Sequence, residues 1–207
     1  MNAKPGIIIR IRPGRPEDAD AVMSLVSLIN LRQPSENLPE IFEGIRIGLA
    51  LDPAPPLTHG FHLCLIAELA DGTPVGTILG GPARWFNNHN FMVNKLVKRI
   101  GCIQDLAVRA EHQRNGIGSA LMRHAEQMFR QGSYTVLTLR HEPGLEHYYG
   151  PLGYTSAKRL VIDLPWRGRT TVARQRGWIY GIKPLAPGVK LTSDPAVSVP
   201  VITGALS

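Results

Sequence analysis

Cysteine is scarce in this sequence. Only Cys64 and Cys102 occur among 207 residues, and each has apolar neighbours in the chain. Neither cysteine belongs to a spacing typical of metal ligands, and isolated cysteines in apolar surroundings generally act as small core side chains. We therefore expect no disulfide framework and no cysteine-bound metal, as is typical of a cytoplasmic protein.

Long apolar runs are also absent. A membrane-spanning helix needs roughly 20 predominantly apolar residues, and no segment of the chain approaches that length. The first residues, Met1 to Gly6, lead directly into a strand-like stretch and lack the apolar core and cleavage site of a secretory signal. The sequence therefore predicts a cytoplasmic protein that has no membrane partner.

The chain carries an excess of positive charge but little sign of a nucleic-acid surface. The formal net charge is +7, and the basic residues are scattered except for one cluster, formed by Arg167, Arg169, Arg174 and Arg176. This cluster lacks the interleaved aromatic residues that stack on bases. We interpret it as a solvated basic loop and expect no nucleic-acid partner, while a basic surface also suits a polyanionic cofactor.

Seven histidines raise the question of a metal site. The close pairs are His59 with His62 and His141 with His147. No carboxylate or cysteine completes a recognisable ligand set beside either pair. We therefore expect no metal.

Hydrophobic periodicity predicts a mixed order of strands and helices. Alternating and β-branched runs indicate strands over residues 7–11, 61–69, 75–79, 101–108, 134–139, 160–164 and 178–182. Helical spacing indicates helices from Pro16 onward, around residues 41–49, over 117–131 and, as a short piece, over 145–149. This order predicts an α/β (α+β) fold with one central sheet and helices on both faces.

The segment from Gln104 to Ser119 combines a strand, a tight turn and a helix. The strand leads into a turn that contains Gly116 and Gly118, and an amphipathic helix begins at once. Such an arrangement directs several free backbone N–H groups to one point at the positive end of a helix dipole. Glycine lets a ligand approach the backbone closely. The segment therefore predicts an anion site suited to a pyrophosphate.

Two other phosphate-binding loops do not fit this segment. The P-loop requires a Lys after its second glycine, and no Lys follows Gly116 or Gly118. The dinucleotide-binding fingerprint requires a third glycine, and Leu121 occupies that position. Both alternatives are therefore set aside.

Several patterns in and around this segment together resemble one family. Gln113-x-x-Gly116-x-Gly118 resembles the acetyl-CoA signature of the GCN5-related N-acetyltransferase (GNAT) family, Gln/Arg-x-x-Gly-x-Gly/Ala. Other stretches similar to that family are Leu106-Ala107-Val108, the run from Tyr148 to Tyr154, Glu68, Asp71-Gly72 and Val75-Gly76. The resemblance implies the GNAT fold, with a central mixed, mostly antiparallel sheet of six to seven strands. We expect one such domain over residues 1–185 and a C-terminal tail or an added strand over residues 186–207.

The resemblance implies acetyl-CoA as cosubstrate. In the family the pantetheine arm pairs with the fourth strand, here Gln104 to Val108, like an additional strand. A backbone N–H near Val108 is expected to polarise the thioester carbonyl, and the amides of the turn are expected to hold the pyrophosphate. The implied cofactor-binding residues are Leu106, Ala107, Val108, Gln113, Arg114, Asn115, Gly116, Ile117, Gly118 and Ser119.

The resemblance also implies a general acid. Tyr149 precedes Gly153 by the offset that the family's acid tyrosine keeps from its glycine. A phenol is protonated at neutral pH and can meet the leaving thiolate with a proton. Tyr148 is expected to pack in the core instead.

The general base is less clear. Gln104 stands where the family often has Glu, and an amide cannot act as a base. Asp105 is adjacent, but strand alternation predicts that it points to the opposite face. His141 follows the fifth strand near the expected thioester and is another candidate, although its loop position favours solvent exposure.

These residues predict an N-acetyltransferase that acts on a primary amine of a small molecule or a peptide by direct attack in a ternary complex. The alternative is a non-catalytic acyl-CoA-binding regulatory module on the same fold. The acceptor is expected between the loop at residues 30–39 and the loop at residues 81–95, where Trp85 and Phe86 lie. Acidic residues that could attract a cationic amine are Glu36, Glu40 and Glu43. The sequence is compatible with a homodimer.

Overall fold

The computed structural model describes residues 7–29, 38–50, 63–83, 98–164, 168–172 and 176–205. The strands are β1 (Ile9–Pro13), β2 (Leu63–Leu69), β3 (Pro74–Pro82), β4 (Ile100–Val108), β5 (Val136–His141), β6 (Thr155–Ala157), β7 (Leu160–Leu164), β8 (Gly168–Val172), β9 (Ile179–Pro184), β10 (Lys190–Asp194) and β11 (Val197–Thr203). The helices are α1 (Ala19–Val26), α2 (Leu38–Ala50), α3 (Ile117–Gln131) and the single turn α4 (Glu146–Tyr149).

Among the described residues, seven strands form the central sheet, in the order β1-β2-β3-β4-β5-β9-β6. Only the pair β4–β5 is parallel, and the other neighbours are antiparallel. The prediction of a mixed, mostly antiparallel sheet of six to seven strands is thus confirmed.

The two faces of the sheet are covered by different helices because the side chains of its strands alternate. On one face, Val22 and Val26 of α1 and Leu49 of α2 pack with Ile66 and Leu79. On the other face, α3 packs against β2 and β3 through its apolar stripe of Ile117, Leu121, Ala125 and Phe129. Helices on both faces were predicted, and this prediction is confirmed.

Helix α3 approaches the glycines of the sheet most closely at Gly101. A Cβ at Gly101 in β4 would lie 2.5 Å from the ring of Phe129, which is fully buried. A side chain here would displace either the ring or the strand. Removing the ring by Phe129→Ala would cost about 3–5 kcal/mol, since a cavity of that size is rarely refilled.

The C-terminal residues form part of a second sheet, in the order β10-β11-β7-β8. Strand β11 lies parallel to β7, with Val201 opposite Val161 and Ile202 opposite Ile162. Beyond the predicted strands at residues 160–164 and 178–182, the chain thus adds β10 and β11. The second sheet shares a core with the central one, because Leu160, Ile162 and Ile202 pack with Val136 and Ile182.

None of the helices in the described ranges is both long and apolar enough to cross a bilayer. Within the same ranges, no three His, Cys, Asp or Glu side chains converge as metal ligands would. In the basic cluster, Arg169 on β8 forms an ion pair with Asp194 on β10, and Arg167 and Arg174 lie outside the described residues, as do His59 and His62.

Candidate active site

Strands β4 and β5 separate before β4 ends. The parallel ladder joins Ile100 with Val136 and ends with the pair Ile103 and Leu139. On its other side, β4 remains paired with β3 as far as Val108, opposite Gly76. In the described structure, the second half of β4 therefore presents one backbone edge that no strand covers.

A β-bulge lies where the two strands separate. In the register with β3, Asp105 faces Leu79 and Ile103 faces Gly80, so Gln104 is the additional residue. The bulge interrupts the alternation of side chains, and both Gln104 and Asp105 border one pocket beneath α2. The expectation that Asp105 points to the opposite face is therefore wrong.

The turn after β4 is held by its own side chains. The Gln113 side chain donates a hydrogen bond to the Val108 carbonyl (3.0 Å), and the Asn115 amide donates to the carbonyls of His112 (3.1 Å) and Gln113 (3.0 Å). Arg114 and Gly116 adopt left-handed backbone conformations, with φ of 60° and 77°. The side chains of Gln113 and Asn115 thus stabilise the conformation of the turn.

The turn ends at an open helix N-terminus. Within the described residues, no side chain caps α3, and its first turn contains no acidic residue. The first amides of a helix have no intrahelical acceptor and lie at the positive end of its dipole. This end of α3 therefore has the electrostatics of an anion site.

The two glycines of the motif have different physical roles. A Cβ at Gly116 would meet nothing within 4 Å, so the positive φ is what favours glycine there. A Cβ at Gly118 would lie 2.6 Å from the Tyr148 hydroxyl. Gly118 is therefore required by close packing against Tyr148, which a sequence motif alone does not reveal.

A cleft of about 450 Å³ joins the free half of β4 to the N-terminus of α3. From the predicted cofactor-binding set, it is lined by Leu106, Val108, Gln113, Arg114, Gly116, Ile117, Gly118 and Ser119. Ala107 and Asn115 do not line it: Ala107 is buried, and the Asn115 side chain binds within the turn. Sequence reasoning missed His112, Leu145 and Tyr148, which complete the lining.

Both tyrosines of the Tyr148-Tyr149 pair border this cleft. Their rings meet edge to face with centroids 4.9 Å apart. Burial raises the pKa of Tyr149, so its hydroxyl stays protonated at neutral pH. Burial also raises the pKa of Tyr148, and the neighbouring Ser119 hydroxyl opposes this shift. The expectation that Tyr148 belongs only to the core is therefore wrong.

His141, the last residue of β5, is buried and stacks on Tyr149, with ring centroids 5.1 Å apart. Its Nδ1 donates to the Glu142 carbonyl (2.7 Å), and its Nε2 forms a hydrogen bond with the Ser156 hydroxyl (3.3 Å). The expectation of a solvent-exposed histidine is wrong. Both ring nitrogens of His141 therefore have protein partners, and its ring packs on Tyr149.

The second pocket has a volume of about 200 Å³ and lies between α2 and the sheet. Its lining is mostly apolar and consists of Ile41, Gly44, Ile45, Gly48, Leu49, Leu63, Cys64, Leu79, Gln104 and Asp105. Burial raises the pKa of Asp105 to about 6, and the charge of Arg140 opposes this. Strand alternation excluded Asp105 as a candidate general base. The bulge that overturns this prediction is visible only in the structure.

The loops predicted to guide the acceptor fall largely outside the described residues, with Glu36, Trp85 and Phe86 among them. Glu40 and Glu43 lie exposed on α2. Neither of them lines the pocket beneath that helix.

The chain belongs to the acetyltransferase (GNAT) family, whose pattern it matches over residues 28–154. That range includes the free half of β4, the turn, α3 and both tyrosines. No curated protein matches the chain significantly.

Solved structures share the fold at low sequence identity. A protein of the GNAT family from Desulfovibrio desulfuricans is 17% identical, with a TM-score of 0.59 over 86% of this chain and 100% of that chain. The PaiA N-acetyltransferase from Thermoplasma acidophilum, in complex with coenzyme A, is 15% identical, with a TM-score of 0.55 over 86% of this chain and 99% of that chain.

The spermidine/spermine N-acetyltransferase SpeG from Vibrio cholerae is 16% identical, with a TM-score of 0.53 over 86% of this chain and 92% of that chain. At these sequence identities the similarity shows a shared fold alone.

Proposed function

We propose that this protein transfers the acetyl group of acetyl-CoA to a primary amine of a small molecule or a peptide, by direct attack in a ternary complex. The observation that carries the proposal is the uncovered edge of β4, which opens into the cleft at the N-terminus of α3. An extended chain can bind such an edge as an added strand, and a pyrophosphate suits the helix end beside it.

The backbone amides and one basic side chain of the cleft suit the phosphates of acetyl-CoA. No side chain of the described residues caps the N-terminus of α3, so ligand oxygens can come near its first amides. Arg114 lines the same cleft and adds a positive side chain. PaiA, with this fold, binds coenzyme A, which supports the same donor here.

The reacting atoms meet along the half of β4 that β5 does not cover. The amine nitrogen attacks the thioester carbonyl carbon, whose oxygen is polarised by a backbone N–H near Val108. As the C–N bond forms and the C–S bond breaks, the Tyr149 hydroxyl protonates the departing sulfur. The phenolate then recovers a proton that the new amide nitrogen loses.

The experiment is a thiol-release assay with acetyl-CoA and a panel of primary amines. Amine-dependent release of coenzyme A, with acetylated amine found by mass spectrometry, supports the proposal. SpeG, which shares the fold, acetylates spermidine and spermine, so polyamines belong in the panel beside simple amines and peptide N-termini. Saturable acetyl-CoA binding without thiol release from any amine would favour the non-catalytic module instead.

A further inference from the structure

We propose that the pocket beneath α2, here called the acceptor pocket, binds the apolar body of a small primary ammonium ion and that Asp105 receives the proton from its nitrogen. This inference rests on the proposed function and adds a class of acceptor to it. The amine is compact, carries one positive charge and has an aliphatic or aromatic side group.

The lining of the acceptor pocket disfavours amines whose attached group is polar. Aliphatic side chains come from α2 (Ile41, Ile45 and Leu49) and from the sheet (Leu63 and Leu79). A hydroxylated or second charged group placed against them would lose its hydration without gaining a partner. The Cys64 thiol adds no charge, because burial raises its pKa to about 12.

The volume limits the size of the acceptor. The acceptor pocket measures about 200 Å³, and a protein cavity of about 150 Å³ is enough to hold benzene. A branched chain or a single ring therefore fits. Gly44 and Gly48 on α2 contribute to this space because they place no side chain in it.

Asp105 directly precedes the residues of β4 that line the donor cleft. Asp105 and Gln104 border the acceptor pocket, whereas Leu106 and Val108, next along β4, border the donor cleft. An ammonium nitrogen held by Asp105 is thus beside the point where β4 and β5 part. The bulge at Gln104 brings the carboxylate to this side.

The electrostatics favour a cation. Asp105 is the one acidic residue among the described lining residues, and no Lys or Arg lines the pocket with it. Burial disfavours its charged form, and Arg140 on β5 only partly offsets this. A bound ammonium ion supplies the missing counter-charge in surroundings of low polarity.

The step at Asp105 is a simple proton transfer. One N–H bond of the ammonium ion breaks, the proton moves to a carboxylate oxygen of Asp105, and the neutral amine keeps the electron pair. That pair then forms the bond to the acetyl carbon. Asp105 returns its proton to water when the product leaves.

The first test compares amines on the wild-type protein. Isobutylamine, isoamylamine and benzylamine are measured against ethanolamine and spermidine. The apolar amines should have the higher kcat/KM, by about fourfold for each methylene buried. A preference for ethanolamine or spermidine would overturn this inference and leave the proposed function standing. Thiol release from none of the amines would contradict both.

The second test uses Asp105 variants. Asp105→Asn should lower kcat/KM for isoamylamine by about a hundred- to ten-thousand-fold, and Asp105→Glu should restore part of the loss. Acetyl-CoA affinity, measured by calorimetry, should be unchanged in both, since Asp105 lies outside the donor cleft. Full kcat/KM in a folded Asp105→Asn variant would overturn the role of Asp105.

The third test fills the pocket without endangering the fold. A Cβ at Gly44 would meet nothing within 4 Å, and replacing a helical glycine favours the helix. Gly44→Leu should lower kcat/KM most for benzylamine and least for methylamine, while the exposed control Ile47→Leu should change neither. An equal effect of Gly44→Leu on all amines would place their bodies elsewhere.

Discussion

The Tyr148 hydroxyl lies 2.6 Å from the point that a Cβ at residue 118 would occupy, whereas the ring carbon that bears it is 3.6 Å away. The contact joins the segment that carries both tyrosines to the first turn of α3. A single hydroxyl group therefore excludes a side chain at residue 118. A double-mutant cycle can test this coupling between Gly118 and Tyr148.

Gly118→Ala should weaken acetyl-CoA binding by about tenfold or more, because the new methyl group pushes Tyr148 into the cleft. Adding Tyr148→Phe removes the clashing oxygen and should recover much of the affinity. Calorimetry on the two single variants and the double variant measures this coupling. Purely additive effects would show that the two residues do not interact.

Gly116→Ala should behave differently. Residue 116 has φ of 77°, and its Cβ would be in open space. The variant should lose about 1 kcal/mol of unfolding free energy through backbone strain, and Tyr148→Phe should not rescue it. Urea unfolding of both variants provides the comparison, and rescue by Tyr148→Phe would contradict the separation of the two roles.

Tyr149→Phe should lower kcat by about ten- to a thousand-fold with little change in acetyl-CoA affinity, because only the proton donor is lost. Tyr148→Phe should retain most of kcat and serves as the matched control. Steady-state kinetics with chemistry shown to be rate-limiting measures both. Equal kcat values for wild type and Tyr149→Phe would require another acid.

Asp105→Asn should stabilise the protein above pH 6. The pKa of Asp105 is raised from 3.8 to about 6, so the folded state binds the proton more tightly than the unfolded chain. Below about pH 4 the carboxyl is neutral in both states, and as pH rises through the window from 4 to 6 the folded state takes on the penalty of its charge.

The Asn variant lacks this penalty, so its advantage should grow from well under about 1 kcal/mol at pH 4 to about 3 kcal/mol at pH 7. Urea unfolding at several pH values measures it. The exposed Asp20→Asn variant is the control and should show no such trend. Parallel stability curves for wild type and Asp105→Asn would indicate an unperturbed carboxyl.

A buried ion pair anchors the segment that carries Tyr149. Lys183 Nζ on β9 donates to Glu126 Oε2 on α3 (2.6 Å) and to the Leu152 carbonyl (2.5 Å). Lys183→Met should destabilise the protein by up to about 3 kcal/mol, since the buried Glu126 carboxylate loses its closest positive partner and is left with Arg130 at 3.8 Å. Thermal unfolding of Lys183→Met and of the double variant with Glu126→Leu tests this. The double variant should be the more stable of the two.

Much of the fold could be predicted because its signals are local. The helical stripe from Ile117 to Phe129 and the glycine after Asp71 give the correct helix and hairpin. The second sheet was missed because β11 contains Pro200, which interrupts a strand pattern, and its partner β7 is distant in sequence. Parallel pairing of that kind leaves no turn signal between the two strands.

The donor side of the site was more predictable than the acceptor side. Gly116 and Gly118 lie in one short motif, so their proximity is set by covalent geometry. The orientation of Asp105 depends on a one-residue bulge, which reverses the face that strand alternation predicts. The burial of His141 depended on contacts with Tyr149 and Ser156, which only the folded chain brings together.

The most direct measurement is the release of coenzyme A from acetyl-CoA, followed with and without a primary amine and paired with mass spectrometry of the amine. The wild-type protein should release one thiol for each amine that gains an acetyl group, and Tyr149→Phe should do so far more slowly while binding acetyl-CoA equally well. Tight acetyl-CoA binding by the wild-type protein, with no amine-dependent thiol release across the panel, would contradict the assignment as an N-acetyltransferase.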